Sequence, residues 1–269
     1  MNRLISLIFW FLGAIYLYPL YLVLFSSFKS AGDLAESPIN LPKAWIIQNY
    51  VEVFHKAHYL RAFGNSLLTT VLALLLLTVV GSMAAYSIAR WKSRIAGWLT
   101  VYFIFGLIAP IQLGIVPLYK MMRDIHLSGS LLGLSVLFAV SALPFSIFLW
   151  SGFIKGIPYE LEEAAQIDGC SKFRVYWQIV FPLIKHATVT VLILNGIGFW
   201  NNFIFPLLFL SRPESQTLPL MIGNFVGVYG NDWPQIFAAV VLIETPAIIL
   251  YLFAQKHIIK GMTVGAIKG

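Results

Sequence analysis

Six long stretches of this chain are almost free of charge, and that pattern limits it to folds that live in a bilayer. Cutting the sequence at its charged side chains leaves residues 4–28, 62–89, 95–119, 125–154, 186–211 and 233–255, each 23 to 30 residues long. About 20 apolar residues in a helix are enough to cross roughly 30 Å of hydrocarbon. The six runs hold 157 of the 269 residues but only one of the 29 Asp, Glu, Lys and Arg side chains, Glu244. A helix in a soluble core is seldom so long or so evenly apolar. The expected fold is all-α: a polytopic membrane protein with six transmembrane helices, forming a single transmembrane domain over residues 1–269.

The first run follows Arg3 and superficially resembles a secretion signal. It is longer than the usual apolar core of such a signal, and no small-residue cleavage site closes it, so it reads as a retained first span. The lone Cys170 excludes an intrachain disulfide. Orientation follows from the cationic side chains between spans. With the N-terminus inside, the inner segments carry 11 Lys and Arg residues and the outer loops 7, and Arg90, Lys92 and Arg94 cluster in one tight inner turn. Both termini are then cytoplasmic. The net charge of +7 follows from this topology and calls for no nucleic-acid partner.

Between spans, residues 29–61 form a long first outer loop in which the 49–55 stretch has the pattern of a short surface helix. Residues 120–128 form a tight outer turn. The last outer loop, 211–232, is rich in Pro and Gly and suits an irregular segment. Pro19, Pro110, Pro117, Pro144, Pro206 and Pro246 fall inside the apolar runs. Each removes one backbone donor and can kink its helix, as packing geometry or as a hinge for rocking between two states.

One charged island interrupts this plan. Residues 159–185, YELEEAAQIDGCSKFRVYWQIVFPLIK, stand between two runs that contain no Asp, Glu, Lys or Arg. Pro158 suits the first turn of a helix, and Glu160, Glu162 and Glu163 lie near its positive dipole end. Leu161, Ala164 and Ala165 are spaced as one apolar stripe whose alanines let another surface approach closely. Gly169 is placed to end the helix with a positive φ and turn the chain into a second amphipathic segment, 171–181. Helices that lie on lipid headgroups favour Lys and Arg on their polar face, whereas this first segment is acidic. The expected role is a docking loop for something outside the bilayer.

Glu163-Ala164-Ala165, Gly169, Ile179 and Pro182 resemble the E-A-A-x3-G-x9-I-x-L-P loop of ATP-binding-cassette importer permeases, with Phe181 where that pattern has Leu. Asp168, the stretch from Pro110 to Tyr119, Leu143-Pro144-Phe145, Trp200 to Phe203 and the 260–269 end look like the carbohydrate-uptake, maltose-type branch, and the similarity covers essentially the whole chain. The resemblance implies that 159–185 is the cytoplasmic ATPase-coupling loop, with Glu160, Glu163, Ala164, Ala165, Asp168, Gly169, Ile179 and Pro182 as its coupling residues. It implies four partners: a second homologous permease, an ATPase dimer holding ATP and Mg, an extracytoplasmic solute-binding protein, and a sugar. It also implies that the cytoplasmic tail, 256–269, reaches into the ATPase dimer interface.

Trp200, Asn201 and Asn202 offer the aromatic face and amides that suit a sugar, or they bond between helices. Glu244, alone in its span, suits a structural or pore-facing role; a proton relay would require further partners. His55 and His58, three apart, share a face if helical but have no third ligand nearby, so no metal site is expected. The sequence has no Gly-x4-Gly-Lys-Ser/Thr loop, so ATP is hydrolysed on another polypeptide and this chain binds no cofactor itself. No nucleophile–base arrangement suggests an enzyme. The expected function is a permease subunit of an ATP-driven importer for a carbohydrate, most simply an oligosaccharide. A polyol or glycerophosphate cargo and an ion-coupled secondary transporter are the alternatives.

Overall fold

A computed structural model describes residues 3–56, 58–227 and 230–266. Within them four helices are long and apolar enough to cross a membrane: Phe9–Ser26, Tyr59–Arg90, Leu131–Lys155 and Trp233–Phe253. Two bent helix pairs are also long and apolar enough, which gives up to six crossings if each pair is one span. The third run breaks by 93° between Arg94–Ile108 and Ile111–Asp124, and the fifth span is bent by 74° from the segment that feeds it, Lys172–Leu183 into Lys185–Trp200. The physical cause of the first break is local. Ala109 is extended because the ring of Pro110 disfavours helical backbone at the preceding residue.

The chain divides into two compact units, Met1–Asn65 with Gln216–Ile248 and Ser66–Ser215 with Ile249–Gly269. In the first unit, α1 (Arg3–Ser26) is followed by a short α2 (Ala31–Glu36) and by α3 (Gln48–Lys56), the expected surface helix of the outer loop. That loop is folded around a buried lysine. Lys29 Nζ donates to the carbonyls of Ser37 and Pro38 at 2.9 and 3.0 Å, and Asn49 Nδ2 donates to the carbonyls of Ser27 and Lys29. Buried cations persist only with such acceptors. Gln235 Nε2 donates to Glu52, and Tyr59 OH donates to the carbonyl of Leu242. The 211–232 segment is irregular as expected, with two 3₁₀ turns and a two-residue pairing of Val226–Gly227 with Gly230–Asn231. His55 lies in the last turn of α3, whereas His58 lies beyond the helix with φ +48°, so the two do not share a helix face.

The second unit is built around α8 (Leu131–Lys155). Before it come α4 (Tyr59–Leu76), which starts in the first unit, a π-type turn at Leu77–Gly81, α5 (Ser82–Arg90), α6 (Arg94–Ile108) and α7 (Ile115–Asp124). The turn expected over 120–128 is shorter than that: residues 120–124 are the last part of α7, and the chain reverses only after it, at His126, φ +58°. Helices α5, α6 and, further along, α12 (Lys185–Trp200) pack on α8. Two glycines permit close approaches to α8. A Cβ on Gly81 would stand 2.9 Å from Trp150, and one on Gly106 would stand 3.0 Å from the ring of Pro144. Trp150 is fully buried and its Nε1 donates to Thr188 Oγ1 at 3.1 Å, tying α8 to α12. Phe138 stacks on Phe199, ring centres 4.9 Å apart.

The prolines separate into two groups. Pro19, Pro144 and Pro246 lie inside unbroken helices, whereas Pro110 marks the 93° break. The last helix, α14 (Trp233–Ala266), continues without interruption past the sixth span, so the described part of the tail is helical, and 267–269 lie outside the described residues.

Candidate functional site

The charged island folds into two limbs between α8 and α12. The first is α9 (Glu160–Ile167), whose first turn carries Glu160, Glu162 and Glu163. Tyr159, not Pro158, is its N-cap; Pro158 falls one residue ahead. The far end is closed as expected at Gly169, φ +86°. The Gly169 N–H donates to the carbonyl of Gln166 and the Cys170 N–H to that of Ala165, the paired bonds of a Schellman turn.

The faces of α9 differ from the stripe expected over Leu161, Ala164 and Ala165. Ala165, 8% exposed, turns inward, and its inward companion is Glu162, 1% exposed. Leu161 and Ala164 face outward with Glu160, Glu163, Asp168 and the 86%-exposed Ile167. The reason is electrostatic. Glu162 meets a cation inside, so the inward row runs through positions 162 and 165. Arg90 Nε donates to Glu162 Oε1 and Tyr86 OH to Oε2, both at 2.7 Å, and Arg90 Nη2 donates to the carbonyl of Ile157 at 3.0 Å. The Arg90 guanidinium also lies 5.6 Å from the centre of the Tyr159 ring.

The second limb runs through α10 (Lys172–Val175), a π-type turn at Tyr176–Val180 and α11 (Phe181–Leu183), then bends at Ile184 into α12. Ile179 is half-buried and Pro182 exposed. Phe181 packs on the rings of Tyr176 and Trp177, at 6.0 and 5.0 Å, which gives its extra bulk a place. Tyr176 is buried and hydrogen-bonds Ser82 at 2.5 Å. Ser82, Tyr86 and Arg90 therefore form one face of α5 that touches both limbs.

The reading of the sequence missed Glu162 as an anchor, together with Ser82, Tyr86, Arg90 and Tyr176. The signal was present. Ser, Tyr and Arg recur every four residues at the end of the second apolar run, which aligns them on one helix face. Arg90 had been read only as a marker of topology.

The other candidates are not part of this loop. Trp200 is buried at the end of α12, Asn201 is its exposed C-cap, and the helix stops there. Asn202 Oδ1 accepts the Phe205 N–H at 2.9 Å and so caps α13 (Ile204–Phe209). Glu244 is half-buried in α14 and belongs to the first unit, whereas Trp200–Asn202 belong to the second. Among the described residues no three His, Cys, Asp or Glu side chains are grouped to hold a metal ion.

The chain belongs to the family described as binding-protein-dependent transport system inner membrane component, whose pattern it matches over residues 77–264. Among its relatives, a putative ABC transporter permease protein, ORF2, from Caldicellulosiruptor sp. (strain Rt8B.4) is 38% identical over 93% of this chain and 91% of its own length. The multiple sugar-binding transport system permease protein MsmG of Streptococcus mutans is 38% identical over 95% of this chain and 93% of its own. The same fold is found in the crystal structure of a bacterial ABC transporter involved in the import of the acidic polysaccharide alginate. It superposes with a TM-score of 0.81 at 20% identity, covering 95% of this chain and 98% of that one.

Proposed function

We propose that this chain is one permease half of an ATP-driven importer whose cargo is a carbohydrate. One observation carries the coupling role: α9 is fixed inward by Glu162 and Ala165, yet presents Glu160, Leu161, Glu163, Ala164, Ile167 and Asp168 outward. That outward face is an acidic, apolar, closely approachable surface suited to a cleft on an ATPase subunit, which would hold the ATP and Mg. A second permease would complete the pathway, and an extracytoplasmic binding protein would deliver the solute. Both termini and the α9 loop are then cytoplasmic. The sugar relatives support the carbohydrate cargo, and the end of α12 leaves the Asn201 amide exposed, a group suited to a sugar hydroxyl.

The test is uptake into proteoliposomes holding both permeases and the ATPase. Radiolabelled oligosaccharides, polyols and glycerophosphates are offered with and without binding protein. ATP-dependent, binding-protein-dependent oligosaccharide uptake is expected. Uptake driven by an ion gradient without the ATPase would overturn the reading, and a preference for polyol or glycerophosphate would replace the cargo.

A further inference from the structure

The contacts of α9 with α5 extend the docking reading, on which the following rests. At eight residues, α9 is too short to hold a helix on its own and depends on tertiary contacts. Ala165 supplies little area. The firm hold on its first turn is the Glu162 carboxylate, both of whose oxygens are occupied by α5: Oε1 by Arg90 and Oε2 by Tyr86. Arg90 also reaches the carbonyl of Ile157 and the ring of Tyr159, so one guanidinium grips the chain on both sides of Pro158. Four residues before Tyr86, Ser82 bonds Tyr176 of the second limb, and the Tyr86 and Tyr176 rings lie 5.1 Å apart. No comparable set of charges joins α9 to α8, its neighbour in sequence, among the described residues.

We propose that the Glu162–Arg90 pair, completed by the Tyr86 hydroxyl, is the joint that carries displacement of α9 to the second span. A buried charge that loses its partner is left without the solvation that paired it, so the two helices move together or the pair breaks at large cost. The driven element is α5, bracketed by this joint at one end and by the π-type turn at Leu77–Gly81 at the other. Such one-turn irregularities recur at functional sites in helices. Glu162, Tyr86 and Arg90 are positioning residues: none is expected to touch ATP or cargo. The outer face of α9 receives the push, and its inner face passes it on.

The test uses the assembled transporter in proteoliposomes and reads three quantities: ATPase co-purification, cargo-stimulated hydrolysis, and solute moved per ATP. Glu162→Gln and Arg90→Gln are expected to retain the ATPase yet to lower solute moved per ATP by about tenfold or more, the scale set by uncoupling one member of a buried charge pair. Wild-type stoichiometry in both would overturn the proposal. So would a loss of co-purification that fully accounts for lost uptake, since the pair would then only shape the docking surface. If neither charge variant accumulates in the membrane, Tyr86→Phe decides, because it removes only the hydroxyl on Oε2. Lower stoichiometry at normal membrane level supports the joint, and unchanged stoichiometry overturns it. Glu163→Lys separates this claim from the docking reading. Normal uptake there defeats docking itself, whereas failure there beside normal Glu162→Gln and Arg90→Gln defeats only the joint.

Discussion

Helices α8 and α9 are neighbours in the chain and opposites in use. Of the 25 residues of α8, 12 are buried, including Trp150, Phe138 and Ile154, and it is the element on which α5, α6 and α12 rest. Of the eight residues of α9, only Glu162 and Ala165 are buried. An α8 substitution acts on whether the bundle assembles. An α9 substitution on the outer face leaves the bundle intact and acts on what the bundle is attached to. The separation of stability from activity is the physical signature of a coupling element.

The sharpest break of this comparison is at the outer face and end of α9. Glu163→Lys inverts a charge on the exposed side, and Gly169→Val forces a β-branched residue into the positive-φ backbone, which costs roughly 1–2 kcal/mol. Neither change reaches α8, so both variants are expected to insert normally and to pair with the second permease. Uptake is expected to fall to background in each, measured beside ATPase co-purification and cargo-stimulated hydrolysis. Normal uptake in both would remove the basis for a coupling role.

A smaller effect, and of the other kind, is expected where α8 receives its neighbours. Gly81→Leu would place a side chain into Trp150 and Leu143, 2.9 and 3.2 Å from the position of its Cβ. Overpacking of this kind costs about 1–3 kcal/mol. The expected result is a lower thermal stability in detergent and less protein in the membrane, with uptake per molecule reduced no more than the folded fraction. Trp150→Phe removes the donor to Thr188 and leaves that hydroxyl its bond to the carbonyl of Ile184. The loss is expected to be about 1 kcal/mol, visible as a modest shift in thermal stability and no change in coupling.

The sequence made the spans legible and their continuity less so. Charge-free length locates each crossing, because the cost of a charge in hydrocarbon does not depend on the rest of the fold. Continuity depends on the neighbours. Pro110 and Pro144 have the same ring and the same missing N–H, yet α8 runs straight through Pro144 while the third run breaks at Pro110. The difference is context: Gly106 of α6 fits against the Pro144 ring, and α8 is held on several sides. In the 159–185 loop the Gly169 reversal was legible because backbone chirality is local. The inward row was not, because Glu162 turns inward only where Arg90 and Tyr86, more than 70 residues earlier, are waiting for it. A rule that places apolar residues inside chooses Leu161 over Glu162 and is misled here by a buried ion pair.

The smallest expected effect tests the outer face at its most exposed apolar point. Ile167 is 86% exposed at the last turn of α9, beside Asp168 and the Gly169 reversal, and nothing in its own bundle covers it. A side chain in that position contributes little to folding, so Ile167→Ser is expected to change stability by no more than about 0.5 kcal/mol. If the ATPase covers it, the same truncation removes apolar area from an interface and weakens docking by about 1 kcal/mol or more, a several-fold to tenfold change in apparent affinity. Titrating purified ATPase against permease in nanodiscs measures this directly, with thermal stability recorded on the same samples. A several-fold weaker affinity at unchanged stability is the expected pair of results. Equal affinity for both proteins would place Ile167 outside the contact and confine docking to the acidic first turn of α9.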